Sequence, residues 1–195
     1  MSPKPKRSNM KIWWDGPYGW PNYEGRQRPV PEHPGVYLWT VKFRNGYLIY
    51  AAGLTRGPIR KRLTEHTRKY LRGDYNVLDI VKMRRGVRRE IWHGWNWNRK
   101  KRYEFKRRKT EIQEAVRKQL GGFRIFVADL GKKKRILERV EATIMNTLCH
   151  LQPSPFCDIP DKGMHLSRRW GNEKPIYATN GCDYRLYGLP AIFEI

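Results

Sequence analysis

Within the stretch RKRLTEH, Arg60 to His66, Arg62 and His66 stand four residues apart, which on a helix puts both side chains on one face. A guanidinium offers a planar fork of donors that matches a pair of phosphate oxygens, and an imidazole can take or give a proton near neutral pH. Together they would make half of a phosphate-cleaving site. On a very basic chain the same pair also reads as a solvated helix surface, so the choice turns on what the rest of the fold brings beside it.

Charge narrows the partner. Lysine and arginine number 41 against 18 aspartates and glutamates, a formal net charge of +23 with a pI near 10.3. Solubility needs only about 2 to 8 net charges on a modest domain, so the excess points to a polyanion. Nucleic acid comes first, because basic side chains gain affinity by releasing counterions condensed on phosphates. An anionic membrane is the weaker partner, since no apolar run nears the roughly 20 residues that a span requires and the N-terminus has no signal-peptide core. Cys149, Cys157 and Cys182 are an odd set without Cys-x-x-Cys spacing, which argues against a disulfide framework and a zinc knuckle and fits a cytoplasmic setting. A metal site built from Cys149, His150, Cys157, His165 and Cys182 matches no spacing template.

Elements must carry the pair. At 195 residues, with eight tryptophans, the chain is long enough for one substantial core. Residues 1–34, rich in proline, glycine and aromatics, read as an extended arm, with Trp13, Trp14, Trp20 and Tyr23 packing it onto the body or, alternatively, stacking on bases. GVYLWTVKF and YLIYAAGLT, joined through Asn-Gly, predict a hairpin of residues 35–43 and 47–53. Pro58, the apolar Ile59, Leu63 and Tyr70, and Gly73 delimit the helix that bears Arg62 and His66. Residues 74–120 form a basic insertion ending in a long helix, with Tyr103, Phe105 and Ile112 partly buried. FRIFVADL predicts a strand. The stripe Ile136, Leu137, Val140, Ile144, Met145 and Leu148 predicts a last helix with Glu141 at its edge. Residues 149–195 read as an extension with short strands near Ile176 and Ile192.

In this order the chain has Gly-Val-Tyr in the first hairpin strand, Gly-x-Thr leaving the second, Arg-Leu-x-x-His on the first helix and Glu-x-x-Ile on the last. The arrangement resembles the GIY-YIG nuclease family over residues 35–148, interrupted by the basic insertion. The resemblance implies an α+β (mixed α/β) fold with a small three-stranded antiparallel sheet flanked by helices. It also implies a metal-dependent DNA endonuclease, restriction-type and site-specific, using Mg²⁺ or Mn²⁺. Carried over, Gly35, Val36 and Tyr37 are the first half of the family signature. The second half falls on Tyr50-Ala-Ala-Gly53, where strand alternation pairs Gly53 with Ala51. Either the second tyrosine is absent, or a bulge returns Tyr50 to the site; the reading taken is Tyr50. Arg62 and His66 match the family's helical pair, and Glu141 its metal-binding glutamate. The family's later asparagine has only Asp158 near its place, with Asn172 and Asn180 further on.

Those residue types suit phosphodiester hydrolysis. A carboxylate such as Glu141 with several waters suits a hard divalent cation. Arg62 would grip the scissile phosphate and balance developing charge. Tyr37 would act as general base if neighbouring cations lower a pKa of about 10, with His66 orienting it or relaying its proton, and Lys42 as a charge partner. Taken singly, Tyr37 reads as a strand core residue, Glu141 as a helix-edge carboxylate in an ion pair, and Arg62 and His66 as a solvated face. In the insertion, Arg99, Lys100, Lys101, Arg102, Lys106, Arg107, Arg108 and Lys109 read as tracking the phosphates of double-stranded DNA, while Trp92, Trp95 and Trp97 read as packing a minor lobe or, alternatively, stacking on exposed bases. A double-strand cut by a single-site enzyme would imply a homodimer. The alternative is a non-catalytic basic DNA- or RNA-binding protein with a degenerate nuclease core; a toxin or mobile-element nuclease would share the chemistry.

Overall fold

The computed structural model describes residues 8–94, 98–151 and 168–195. In chain order the elements are β1 Ser8–Trp13, β2 Asp15–Gly19, β3 Gly35–Phe43, β4 Gly46–Thr55, α1 Ile59–Arg72, β5 Val77–Leu78, α2 Ile80–Met83, β6 Glu90–Trp92, α3 Arg99–Gly122, β7 Phe123–Ala128, α4 Lys134–Asn146, β8 Ile176–Gly181, β9 Leu186–Tyr187 and β10 Ile192–Glu194. A π-helical turn, Thr147–Leu151, continues α4. The fold is mixed α+β.

The main sheet runs β2-β7-β3-β4-β9. Its first four strands pair antiparallel in succession, and β9 joins β4 in parallel. The expected three-stranded sheet is therefore only the interior of a five-stranded one, because the terminal segments donate β2 and β9 to its edges. The residues explain why β3 is central: GVYLWTVKF is apolar on both faces, and its first seven residues are buried. The hairpin turns one residue earlier than Asn-Gly predicts. Arg44 takes the left-handed conformation (φ 49°), and Gly46 already pairs with Phe43. Gly46 is needed there, since a Cβ on it would sit 2.2 Å from the Arg185 carbonyl oxygen.

The arm is not merely draped. β1 pairs in parallel with β8, which pairs antiparallel with β10, so the two ends of the chain build a second sheet together. Trp14 and Trp20 are fully buried, whereas Trp13 is 58% exposed. The sheet faces two cores. One holds Trp20, Tyr37, Trp39, Tyr50 and Phe123 beneath α1 and α3. The other holds Trp14, Val36, Leu38, Ile49 and Phe126 beneath α4, whose Leu137, Val140, Ile144 and Met145 supply the predicted stripe. Gly73 ends α1 in a left-handed cap (φ 81°). Among the described residues no helix is long and apolar enough to cross a membrane. Cys182 is a free thiol and Cys149 is disulfide-bonded, although count and spacing argued against a disulfide framework.

Candidate active site

β3 points Tyr37 into the core shared with α1, opposite Gly53 of β4. The glycine is sterically required: a Cβ there would stand 2.5–2.6 Å from three atoms at the phenol end of Tyr37. From α1, the His66 Nε2 lies 3.1 Å from Tyr37 Oη, and the His66 Nδ1 lies 3.0 Å from Tyr75 Oη. Arg62, one turn earlier, acts electrostatically on Tyr37 and pairs with Glu65 at 3.1 Å. The helical spacing thus does what it predicted, aiming both side chains at one strand residue.

Glu141 arrives from the other side of the sheet. β9 pairs only with Tyr47 and Leu48 of β4, so the later half of that edge lacks a strand partner among the described residues. α4 covers it. The Ala52 N–H donates to Met145 Sδ at 3.2 Å, and the Leu54 backbone N–H faces the Glu141 carboxylate and favours its charged form. Glu141 and Met145 are i and i+4 on α4, matching donors two residues apart on one strand edge. At this edge Glu141 is half-buried and interacts electrostatically with both Arg62 and Tyr37. The phenol, guanidinium, imidazole and carboxylate, drawn from β3, α1 and α4, form one electrostatically coupled cluster.

Its electrostatics are unlike those of a solvated surface. Burial holds the Tyr37 phenol well above its ordinary value; Arg62 opposes this and Glu141 adds to it. The condition set on Tyr37 as base, that neighbouring cations lower its phenol, is not met, because desolvation outweighs the single guanidinium. Burial, then Arg62 and Lys69, push His66 down to about 3, so its imidazole is neutral. Burial raises Glu141 to about 7, although the Leu54 hydrogen bond and Arg62 pull it down. Tyr75 is raised by burial against Arg62. At neutral pH the pocket holds neutral phenols, a neutral imidazole, a carboxylate near its midpoint and the Arg62 cation.

Tyr50 sits elsewhere in the same core. Trp39 pairs with Ala51 and Thr40 with Ile49, so Tyr50 is the extra residue of a β-bulge and faces the Tyr37 side. The Trp39 ring stands between them, stacked on Tyr37 at 6.4 Å and on Tyr50 at 6.0 Å. Lys42 lies over the Tyr47 ring at 5.0 Å, toward the hairpin end of β3. Asn180 bonds Trp14 and the Pro190 carbonyl in the terminal sheet, Asn172 is exposed on a turn, and Asp158 lies outside the described residues. The residue that sequence reasoning missed is Tyr75, whose only signal was its place just beyond the glycine that ends α1.

α3 carries the basic face. Arg99, Lys100, Arg102, Lys106, Arg107 and Lys109 are exposed, and Lys101 is half-buried. Arg108 differs: it pairs with Glu104 at 3.2 Å and Glu111 at 2.9 Å and donates to the Ile91 carbonyl at 3.1 Å, so it ties α3 to β6 and is not available to track phosphate. Phe105 and Ile112 are buried, but Tyr103 is 72% exposed, against expectation. Its neighbours one turn either way are Arg99, Lys100, Lys106 and Arg107. Trp92 is buried, bonding the Gly73 carbonyl at 2.8 Å beside Phe105; Trp95 and Trp97 lie outside the described residues. The face begins near the pocket. Gly94 abuts the Tyr75 backbone so closely that a Cβ would stand 2.4 Å away. Asn98, which caps α3, follows four residues later, at most about 14 Å of chain.

For a metal, the pocket's donor set is one half-buried carboxylate; no three His, Cys, Asp or Glu side chains gather into a metal-holding group among the described residues. A disulfide-bonded Cys149 also removes a thiolate from the cysteine set weighed above. One carboxylate completed by water and substrate phosphate suits Mg²⁺ or Mn²⁺ and does not suit zinc, which takes several nitrogen or sulfur ligands. Comparison of the chain with protein-family models, with curated proteins and with solved structures gives no match.

Proposed function

We propose that the chain is a metal-dependent endonuclease of the GIY-YIG type, hydrolysing phosphodiester bonds in double-stranded DNA at a defined sequence, with α3 against the backbone. The observation that carries this reading is that Tyr37 contacts His66 and is coupled electrostatically to Arg62 and Glu141, groups brought from elements far apart in sequence. Coincidence places such residue types together far less readily than any one of them singly.

A divalent cation held by Glu141, water and substrate phosphate would supply charge neutralisation at the scissile group. The protein's own groups do the rest. Arg62 binds a non-bridging oxygen and balances the charge that develops there. As the water oxygen bonds to phosphorus and the bond to the leaving oxygen breaks, a water proton passes to Tyr37 Oη, the phenol's own proton passes to His66 Nε2, and the leaving oxygen takes a proton from solvent water. Neither group need become a free ion beforehand, which suits a raised phenol beside a neutral imidazole. A bound phosphate also faces Arg62 and offsets the repulsion that this guanidinium exerts on an imidazolium.

The test is plasmid cleavage with Mg²⁺. Wild-type protein is expected to nick or cut, and Glu141→Gln to lose at least about a thousandfold in rate while still binding DNA. Equal cutting by both proteins removes the assignment. A second reading, a non-catalytic nucleic-acid-binding protein with a degenerate core, draws on the near-complete burial of Tyr37, which is 1% exposed, and on Tyr50 lying behind Trp39. It expects salt-sensitive binding and no metal-dependent cleavage.

A further inference from the structure

Counting hydrogens in the pocket assigns a role to a residue outside the sequence motifs. The Arg62 cation acts on the Tyr37 oxygen, and a guanidinium can only donate, so the phenol hydrogen points away from it. Tyr37 is 1% exposed, and its own hydroxyl hydrogen therefore needs a protein acceptor. The acceptor in reach is His66 Nε2, at 3.1 Å. A neutral imidazole that accepts at Nε2 carries its hydrogen on Nδ1, and that N–H faces Tyr75 Oη at 3.0 Å. The hydrogen bonds then run in one direction, from Tyr37 to His66 and from His66 to Tyr75, with the Arg62 cation beside the first phenol.

We infer that Tyr75 is a positioning residue of the proposed nuclease site: by accepting the Nδ1 hydrogen it fixes the His66 tautomer and ring plane so that Nε2 can take the Tyr37 proton. The inference rests on the nuclease reading for its kinetic consequence but not for its geometry. Tyr75 is itself held on three sides. Tyr70 meets it edge-on at 5.0 Å, Lys69 stands over its ring at 5.7 Å, and Gly94 closes against its backbone. When His66 receives the Tyr37 proton, both ring nitrogens become donors, to Tyr37 and to Tyr75, and no bond in the chain has to be remade. The second phenol of this site thus comes from the segment after α1, and the bulged Tyr50 of β4 is core.

The tautomer is directly observable. In ¹⁵N-histidine-labelled protein, with the His66 signals identified by their loss in His66→Gln, two-bond proton–nitrogen correlations should show the Nδ1–H form. Tyr75→Phe should move His66 away from that form and lower kcat for plasmid cleavage about tenfold or more with KM little changed; Tyr50→Phe should do neither. Nε2–H in the wild type, or a Tyr75→Phe variant that keeps Nδ1–H and full kcat, overturns the inference. If the wild type does not cleave at all, the nuclease reading falls, and the tautomers of the wild-type and Tyr75→Phe proteins alone still decide the hydrogen-bond order.

Discussion

The pocket and the outer face of α3 are both built from basic and aromatic side chains, yet they behave as opposites. Around Tyr37, one guanidinium stands among phenols and an imidazole that burial keeps neutral, and both His66 nitrogens face a particular phenol. On α3 the cations of Arg99, Lys100, Lys106 and Arg107 are solvated around an exposed Tyr103, and none depends on its neighbour for its place. The contrast separates geometry from charge. In a low-dielectric pocket a displacement of a few tenths of an ångström changes what a group can do, while a solvated cation interacts with phosphate through a screened field that tolerates motion.

The contrast can be broken at either end. Replacing Arg99, Lys100, Lys106 and Arg107 together by alanine should weaken DNA binding more than a hundredfold at low salt, about 3 kcal/mol, and flatten the salt dependence by roughly 3 to 4 counterions. Fluorescence titrations at several salt concentrations measure both, and the thermal midpoint should hardly move. A quadruple variant that unfolds early would mean the face is structural after all. Arg108→Ala should do the reverse, lowering stability while sparing the salt slope.

In the pocket, Gly53→Ala drives a methyl group into the phenol end of Tyr37 and should cost about 2 to 3 kcal/mol in urea unfolding. DNA binding through α3 should survive it and cleavage should not. An alanine variant as stable and active as the wild type would show that Tyr37 has room to move.

The smallest effect concerns pH. Glu141 has a folded value of about 7 against 4.5 for the free side chain, so the native state holds its proton more tightly than the unfolded chain. Its contribution is present below about pH 4.5 and is lost as pH rises through 7. In EDTA, the stability of the wild type should therefore fall relative to Glu141→Gln between pH 5 and 8, by about 1 to 2 kcal/mol. His66 is shifted the other way and is common to both proteins, so it cancels in the comparison. Parallel pH curves would place Glu141 in water.

Much of this was legible beforehand where spacing carries direction. Arg62 and His66 at i and i+4 had to share a face, and the stripe from Leu137 to Met145 had to lay α4 against a sheet with Glu141 at its margin. Phase should also have exposed Tyr103, which lies about 200° round the helix from the buried Phe105. Likewise Glu104 and Glu111, four residues before Arg108 and three after it, were the signal that it is paired. Other features were not readable. β1 and β2 lie in a stretch rich in proline and glycine, and β1 becomes a strand only by meeting β8 across the whole chain. The bulge at Tyr50 is a property of how β3 and β4 pair, and the bond from His66 to Tyr75 depends on where the chain turns after Gly73.

The way α4 closes the rim of β4 affects how a dead enzyme should be made. Glu141 shields a backbone donor of Leu54 that would otherwise lie open for another chain to add a strand. Truncating it to alanine invites self-association that a cleavage assay would report as inactivity, whereas glutamine retains an oxygen for Leu54 and removes only the charge.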